Sequence, residues 1–168
     1  MQPVQEAIRA RRSVRDFTGQ PVEQDKIQSI LESGIWAPSG LNNQPWKFIT
    51  IKDQKTIDKL AELTTYSHIV RAAPLLIGIF LDKEKMYDEV KDHQSAGACI
   101  QNMLLTVHEL ELGAVWLGQI LKNKIQVNCL LKLDDQYDLM AFLAIGYPKH
   151  RNQKSQRKPL SDFIIQEI

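Results

Sequence analysis

The chain has 168 residues, of which 43% are hydrophobic and 24% charged, and its formal net charge is +1. That length fits one domain able to bury about two thirds of its unfolded surface. The near-zero charge excludes a global field that would steer it to nucleic acid or to an anionic membrane, so any anion site has to come from local clusters of Arg and Lys.

Pro3 to about Arg11 reads as a short helix with Val4, Ala7 and Ile8 on one face. SVRDFTGQPV breaks it, and Glu23 to Trp36 resumes helical spacing through Ile27, Ile30, Leu31 and Ile35. Pro21 suits the entry of that helix and Pro38 ends it. WKFITIKD alternates apolar and polar residues and predicts a strand. Gln54 to about Leu63 is helical again, with Ile57, Leu60 and Ala61 on one side. PLLIGIFLD is continuously apolar, the pattern of a central strand covered on both faces.

The longest helical pattern runs from about Glu89 to Leu112, with Gly113 as its stop. Ala96, Ile100, Met103 and Val107 share one side, with Cys99, Leu104 and Leu105 beside them. An apolar arc that wide implies burial on most sides, and in so small a domain it hints at a subunit interface. AVWLG follows as a short extended piece, then a helix around Gln119 to Leu131 and the strand DLMAFLAIGYP. The tail from residue 149 is basic first and apolar at Phe163, Ile164 and Ile165, a composition suited to docking at a distance.

The pattern is irregular in its alternation of strand and helix. It favours an α+β sandwich, a sheet between helices, over a doubly wound fold. The apolar run PLLIGIFL is far short of the roughly 20 residues a membrane-spanning helix needs. MQPVQEAIRARR lacks the apolar core and cleavage site of a secretory signal, so a soluble cytoplasmic protein is expected. Cys99 and Cys129 lie in apolar surroundings without metal-ligand spacing and read as buried, reduced thiols rather than a disulfide.

Two stretches carry forked cations. RRSVR places Arg11, Arg12 and Arg15 around the hydroxyl of Ser13 at a helix exit, a donor set suited to phosphate. KHRNQKSQRK gathers Lys149, Arg151, Lys154, Arg157 and Lys158 ahead of Pro159. A nucleic-acid tail is one reading of that second stretch, but no aromatic is interleaved to stack on bases. A loop that folds onto a bound phosphate is the other.

No metal-ligand spacing is present, and His93 and His108 read as helix-surface residues. No GxSxG elbow, P-loop or GxGxxG occurs, and the carboxylates are scattered along helix faces. Anion-binding arginines without an acid, base or nucleophile suggest that a phosphorylated organic cofactor carries the chemistry.

Read together, RRSVRDF, APSGLNNQPW, AGACIQNMLL…LELGAVWLG and AIGYPKH…RKPL resemble, in order and spacing, the nitroreductase family of FMN-dependent oxidoreductases across nearly the whole chain. The resemblance implies a single nitroreductase-like domain over residues 1–168, with a central, mostly antiparallel sheet flanked by helices. The long helix would lie at a homodimer interface, and the tail from about 149 to 168 would dock on the partner. Each flavin would be held mainly by one subunit and covered by the APSGLNNQPW turn of the other.

Carried over position by position, Arg11, Arg12 and Ser13 would hold the FMN phosphate and ribityl chain. Arg15 would stand near the N1–O2 edge of the ring, where a cation favours the charge that appears on reduction. Arg157, with Lys158 beside it, matches the C-terminal phosphate contact. Trp116, Leu117 and Gly118 match the segment whose backbone passes flavin N5. Pro38, Ser39 and Gly40 would form a low turn against the ring, the missing Cβ of Gly40 allowing close approach. Asn42 and Gln44 would tie the turn or meet polar ring edges, Leu41 would line the substrate's entry, and Trp46 would anchor the turn in the core.

Two departures matter. Leu117 stands where some larger relatives carry a Glu, and Ser155 where a basic residue is common, leaving Lys154 as its substitute. The region from Tyr66 to His68 would lie near the pyrimidine end, with no motif to fix a residue. The implied activity is NAD(P)H-dependent reduction of nitroaromatics, quinones or similar planar acceptors by ping-pong hydride transfer. Reductive dehalogenation, flavin fragmentation and a non-catalytic flavin-binding regulator are the alternatives.

Overall fold

The computed structural model describes residues 3–168. Four strands form one sheet in the order β1-β2-β4-β3: β1 is Trp46–Ile51, β2 Leu75–Asp82, β3 Gly113–Leu117 and β4 Tyr137–Gly146. All three strand pairings are antiparallel. The central pair explains the unbroken apolar run of β2. Leu75, Ile77 and Ile79 point into one core and Leu76 and Phe80 into the other, so neither face can be polar.

The helices are α1 (Pro3–Ala10), α2 (Gln24–Ile35), α3 (Gln54–Ala61), α4 (Ser67–Ala72), α5 (Glu89–Glu109) and α6 (Lys124–Leu131). Ile27 and Ile30 of α2 and Cys99, Ile100, Met103, Leu104 and Val107 of α5 cover one face of the sheet. Ile57 and Leu60 of α3, Ile69 and Val70 of α4, and Val127 of α6 cover the other. This is the sandwich that the sequence pattern implied. No described helix is long and apolar enough to cross a membrane.

Several local expectations change. The segment after β3 begins as a 3-10 turn, Gln119–Asn123, before α6 starts. The six-residue α4 carries too little periodicity to be seen in the sequence. Gly113 does not stop α5. The stop is Glu111, which adopts φ 59° while Leu112 N donates to Val107 O at 3.0 Å, and Gly113 opens β3. Cys99 is buried as expected, but Cys129 is exposed on the outer side of α6.

Most of the wide apolar arc of α5 is covered within the chain by the sheet and α2, while Leu105 stays half-buried. The apolar surface left over lies elsewhere. α1 has no buried residue and exposes Val4 and Ile8, and the tail exposes Leu160, Phe163, Ile164, Ile165 and Ile168.

Candidate functional site

Residues 11–15 leave α1 and run along the outer edge of β3. Val14 N donates to Ala114 O at 2.9 Å, and Ser13 pairs with Ala114 in a parallel bridge. Val14 turns inward against Gly113, where a Cβ would come within 2.7 Å of the valine side chain. With Val14 buried, its neighbours Ser13 and Arg15 are directed outward.

The tail returns to the same place from the far end of the chain. Phe17 bridges Pro148, Lys149 N donates to Asp16 O at 3.1 Å, and the Arg151 guanidinium donates to Glu111 O. A cavity of about 480 Å³ results, lined by Arg11, Arg12, Ser13, Arg15, Gln153, Lys154, Ser155 and Arg157. Among the described residues no carboxylate lines it. Lys154 takes part, whereas Lys158 is exposed beyond it.

The electrostatics are those of an anion site. Partial burial, followed by repulsion from Arg12 and Arg157, holds the Arg11 guanidinium below its ordinary pKa. Arg12 Nη1 is satisfied by Arg9 O at 2.6 Å and Arg11 O at 2.8 Å, but its buried Nε has no partner. An orphaned guanidinium N–H is costly, and a multiply charged oxyanion in the cavity would offset the repulsion among the guanidiniums. A phosphate monoester such as that of FMN fits these groups.

The exit of β3 lies further along the same edge. Ser13 is bridged at Ala114, and four residues of strand at ~3.3 Å each bring the chain to Gly118 about 13 Å away. Leu117 is buried in the core, so its backbone is what it can offer a ligand. A Cβ on Gly118 would meet nothing within 4 Å, so open space adjoins it. Trp116 is 42% exposed and borders a second cavity with Gly97 and Ile100 of α5. Gln119 Oε1 accepts from Thr64 Oγ1 at 2.6 Å and Thr65 N at 3.0 Å, which ties the segment before Tyr66 to this exit.

The turn between α2 and β1 is built under strain. Leu41, Asn42 and Gln44 have φ of 52°, 55° and 46°, left-handed values that cost a non-glycine residue about 1 to 2 kcal/mol each. Ser39 Oγ accepts from Gln44 N at 3.1 Å and Gln44 Nε2 donates to Asn42 O at 3.1 Å, so Gln44 ties the turn. Trp46 is buried, as its anchoring role requires, and Leu41 projects with 85% of its surface exposed. Pro38 and Asn42 are exposed beside it.

Gly40 has a different neighbour from the one expected of it. A Cβ there would lie 2.0 Å from Tyr87 Oη, so the missing side chain admits the tyrosine of the same chain. The sequence reading also missed Asn43 and Asp92. Asp92 is fully buried, not scattered on a solvated face, and accepts from Asn43 Nδ2 at 2.8 Å, Tyr87 N at 2.9 Å and Asp88 N at 3.0 Å.

The turn and the cations do not meet within one chain. Asp92, in the first turn of α5, accepts from Asn43 beside the turn, while His108 near the helix end borders a cavity shared with Arg11 and Arg12. Sixteen residues at ~1.5 Å put about 24 Å of helix axis between them.

The nitroreductase family model matches residues 8–65 and 62–147. A protein from Desulfovibrio desulfuricans described as a nitroreductase, crystallised with FMN, is 48% identical and superposes with a TM-score of 0.96 over 100% of this chain and 98% of its own. A Methanothermobacter thermautotrophicus protein described as an NADH dehydrogenase/NAD(P)H nitroreductase is 30% identical over 147 residues, 86% of this chain and 77% of its own. An FMN reductase [NAD(P)H] from Bacillus subtilis is 25% identical over 185 residues, covering 99% of this chain and 74% of its own.

Proposed function

This chain belongs to the nitroreductase family, and from that premise we propose that it is an FMN-dependent NAD(P)H oxidoreductase acting on nitroaromatic, quinone or similar planar acceptors. The observation that carries the reading is the cavity lined, among the described residues, by arginines and a lysine without a carboxylate, where Arg12 and Arg157 repel Arg11. FMN bound there supplies hydride acceptance and donation at its N5 position.

The chain's own groups do the rest. Arg11, Arg12, Ser13, Lys154 and Arg157 bind the phosphate and the start of the ribityl chain, with Lys158 as an outer charge. Arg15, on the rim of the same cavity, would place a cation beside the N1–O2 edge and favour negative charge there. The Trp116–Gly118 backbone would pass the N5 edge of a bound flavin, and the burial of Leu117 would hold it in place. The Pro38–Asn42 turn of a second copy, with Leu41 at the lip, covers the ring. A homodimer accounts for that turn lying about 24 Å along α5 from its own chain's cations. It also gives the exposed apolar residues of α1 and of the tail (149–168) a partner to cover them. One open ring face would serve nicotinamide and acceptor in turn, the condition for ping-pong kinetics.

The test is the visible spectrum of the purified protein, after reconstitution with FMN, followed by anaerobic titration with NADH and NADPH and then with menadione. Bleaching by a nicotinamide and recovery with the quinone are expected. A chain that takes up no FMN, or a flavin inert to both nicotinamides, refutes the proposal. Arg15→Ala should retain FMN and slow its reduction in stopped flow.

A further inference from the structure

We propose that Asp92 is a positioning residue, whose buried carboxylate acts through Asn43 to hold the Ser39–Gln44 turn in the left-handed shape that presents Leu41 and Asn42 outward. The inference deepens the reading above, in which that turn covers a flavin held by the partner subunit. It stands on three observations: the strain in the turn, the convergence on one carboxylate, and a carboxylate oxygen, Oδ1, that the helix cap does not use.

Non-glycine residues in left-handed conformation at three of four successive positions do not persist unless their surroundings over-determine them. Within the turn, Asn42 N donates to Ser39 O at 3.1 Å, Asn43 N to Gly40 O at 3.0 Å, Gln44 N to Ser39 Oγ and Gln44 Nε2 to Asn42 O, and all of these are local bonds that do not fix the turn against the rest of the fold. The external restraint is the Asn43 amide, whose Nδ2 donates to Asp92 Oδ1 at 2.8 Å and to Lys85 O at 3.0 Å. Its orientation is forced, because a flipped amide would face two acceptors with an oxygen. Asn43 Oδ1 is meanwhile buried without a partner, a cost tolerated in order to keep both donations.

The other two donors to Asp92 lead back to the same turn. Tyr87 N and Asp88 N both reach Oδ2, which fixes the segment carrying the Tyr87 ring. That ring sits where a Cβ of residue 40 would be, so it supports the turn from beneath. Helix capping explains only half of Asp92: its Oδ2 accepts from Asp88 N in the manner of a capping box, and its Oδ1 is left to Asn43. Asp88 already caps α5 by accepting from Lys91 N at 2.9 Å. A fully buried carboxylate one turn later is costly unless its hydrogen bonds are needed.

Asn43→Ala is the primary test, because it cuts the link to the turn and leaves both backbone bonds of Asp92 in place. Asp92→Asn is the second variant. Hydrogen exchange of the apoprotein reads the mechanical part: amides of residues 42–44 should exchange about tenfold faster in Asn43→Ala, with β2 and β4 amides unchanged. FMN titration and steady-state kinetics with menadione read the rest, and a several-fold rise in both the FMN Kd and the acceptor KM is expected. Unchanged exchange at 42–44 overturns the proposal, as does faster exchange with Kd, KM and kcat at wild-type values. A wild-type protein that takes up no FMN would instead sink the functional reading, and this role with it, whatever the exchange shows.

Discussion

Removing Arg157 should leave the empty protein as stable as before, or slightly more so, and weaken the FMN-bound one. Its guanidinium donates only to neighbouring tail groups, Ser155 Oγ and Gln156 O, so Arg157→Ala breaks nothing that holds the fold. The same guanidinium repels Arg11, after burial and Arg12 in the order of causes that lower the Arg11 pKa. The apoprotein should therefore melt at the wild-type temperature or slightly above it. Hydrogen bonds to a charged group contribute about 1.5 to 3 kcal/mol each. Loss of one such contact to the phosphate weakens FMN binding by roughly 10- to 150-fold, at about 1.4 kcal/mol per factor of ten. The stabilisation that FMN gives should shrink in parallel, from about 2.7 kcal/mol when the wild type is held at 100 times its Kd. The assay pairs thermal melts of apo and loaded protein with fluorescence titration of FMN. An apoprotein that melts several degrees lower, or an FMN Kd within threefold of wild type, would show that Arg157 is not part of an anion site.

Other outcomes follow from the packing. Gly113→Ala puts a Cβ within 2.7 to 2.8 Å of the buried, β-branched Val14. Overpacking of about 1 to 3 kcal/mol is expected, together with weaker FMN binding because Arg12 and Ser13 are displaced; a melting point within one degree of wild type would contradict it. Burial pushes the Cys99 thiol up to about 12, while Cys129 is exposed. Ellman's reagent should therefore label one thiol quickly, and Cys129→Ser should abolish the fast phase.

Burial would raise the Asp92 pKa, but its hydrogen bonds with Asp88, Asn43 and Tyr87, aided by His93, hold it below the ordinary 3.8. A depressed carboxylate stabilises fully above its unfolded value and loses that contribution as pH falls toward the folded one. Urea midpoints should thus drop below about pH 4 in the wild type and drop less steeply in Asp92→Asn. Parallel curves would refute the assignment.

The strand β2 was legible in the sequence because a strand covered on both faces must be continuously apolar, and α5 because its buried positions recur at helical spacing. The cationic residues were legible as types, since forked guanidiniums around a hydroxyl suit few partners besides phosphate. Their meeting was implied by the family resemblance and by no local pattern, because the Phe17–Pro148 bridge, the Lys149–Asp16 and Arg151–Glu111 bonds and the Val14 bond to β3 join segments far apart in the chain.

The fate of Gly40, Asn43 and Asp92 was hidden. A glycine in a turn looks the same whether its empty side faces a ligand or Tyr87, and an aspartate on a helix looks solvated until another segment covers it. Periodicity and residue chemistry are properties of a few neighbouring positions, so they determined the elements, the sandwich and the kind of ligand. Which groups share a cavity, and which carboxylate holds a strained turn, depended on segments some 50 to 145 positions apart, and only the packing of helices on the β1-β2-β4-β3 sheet decided that.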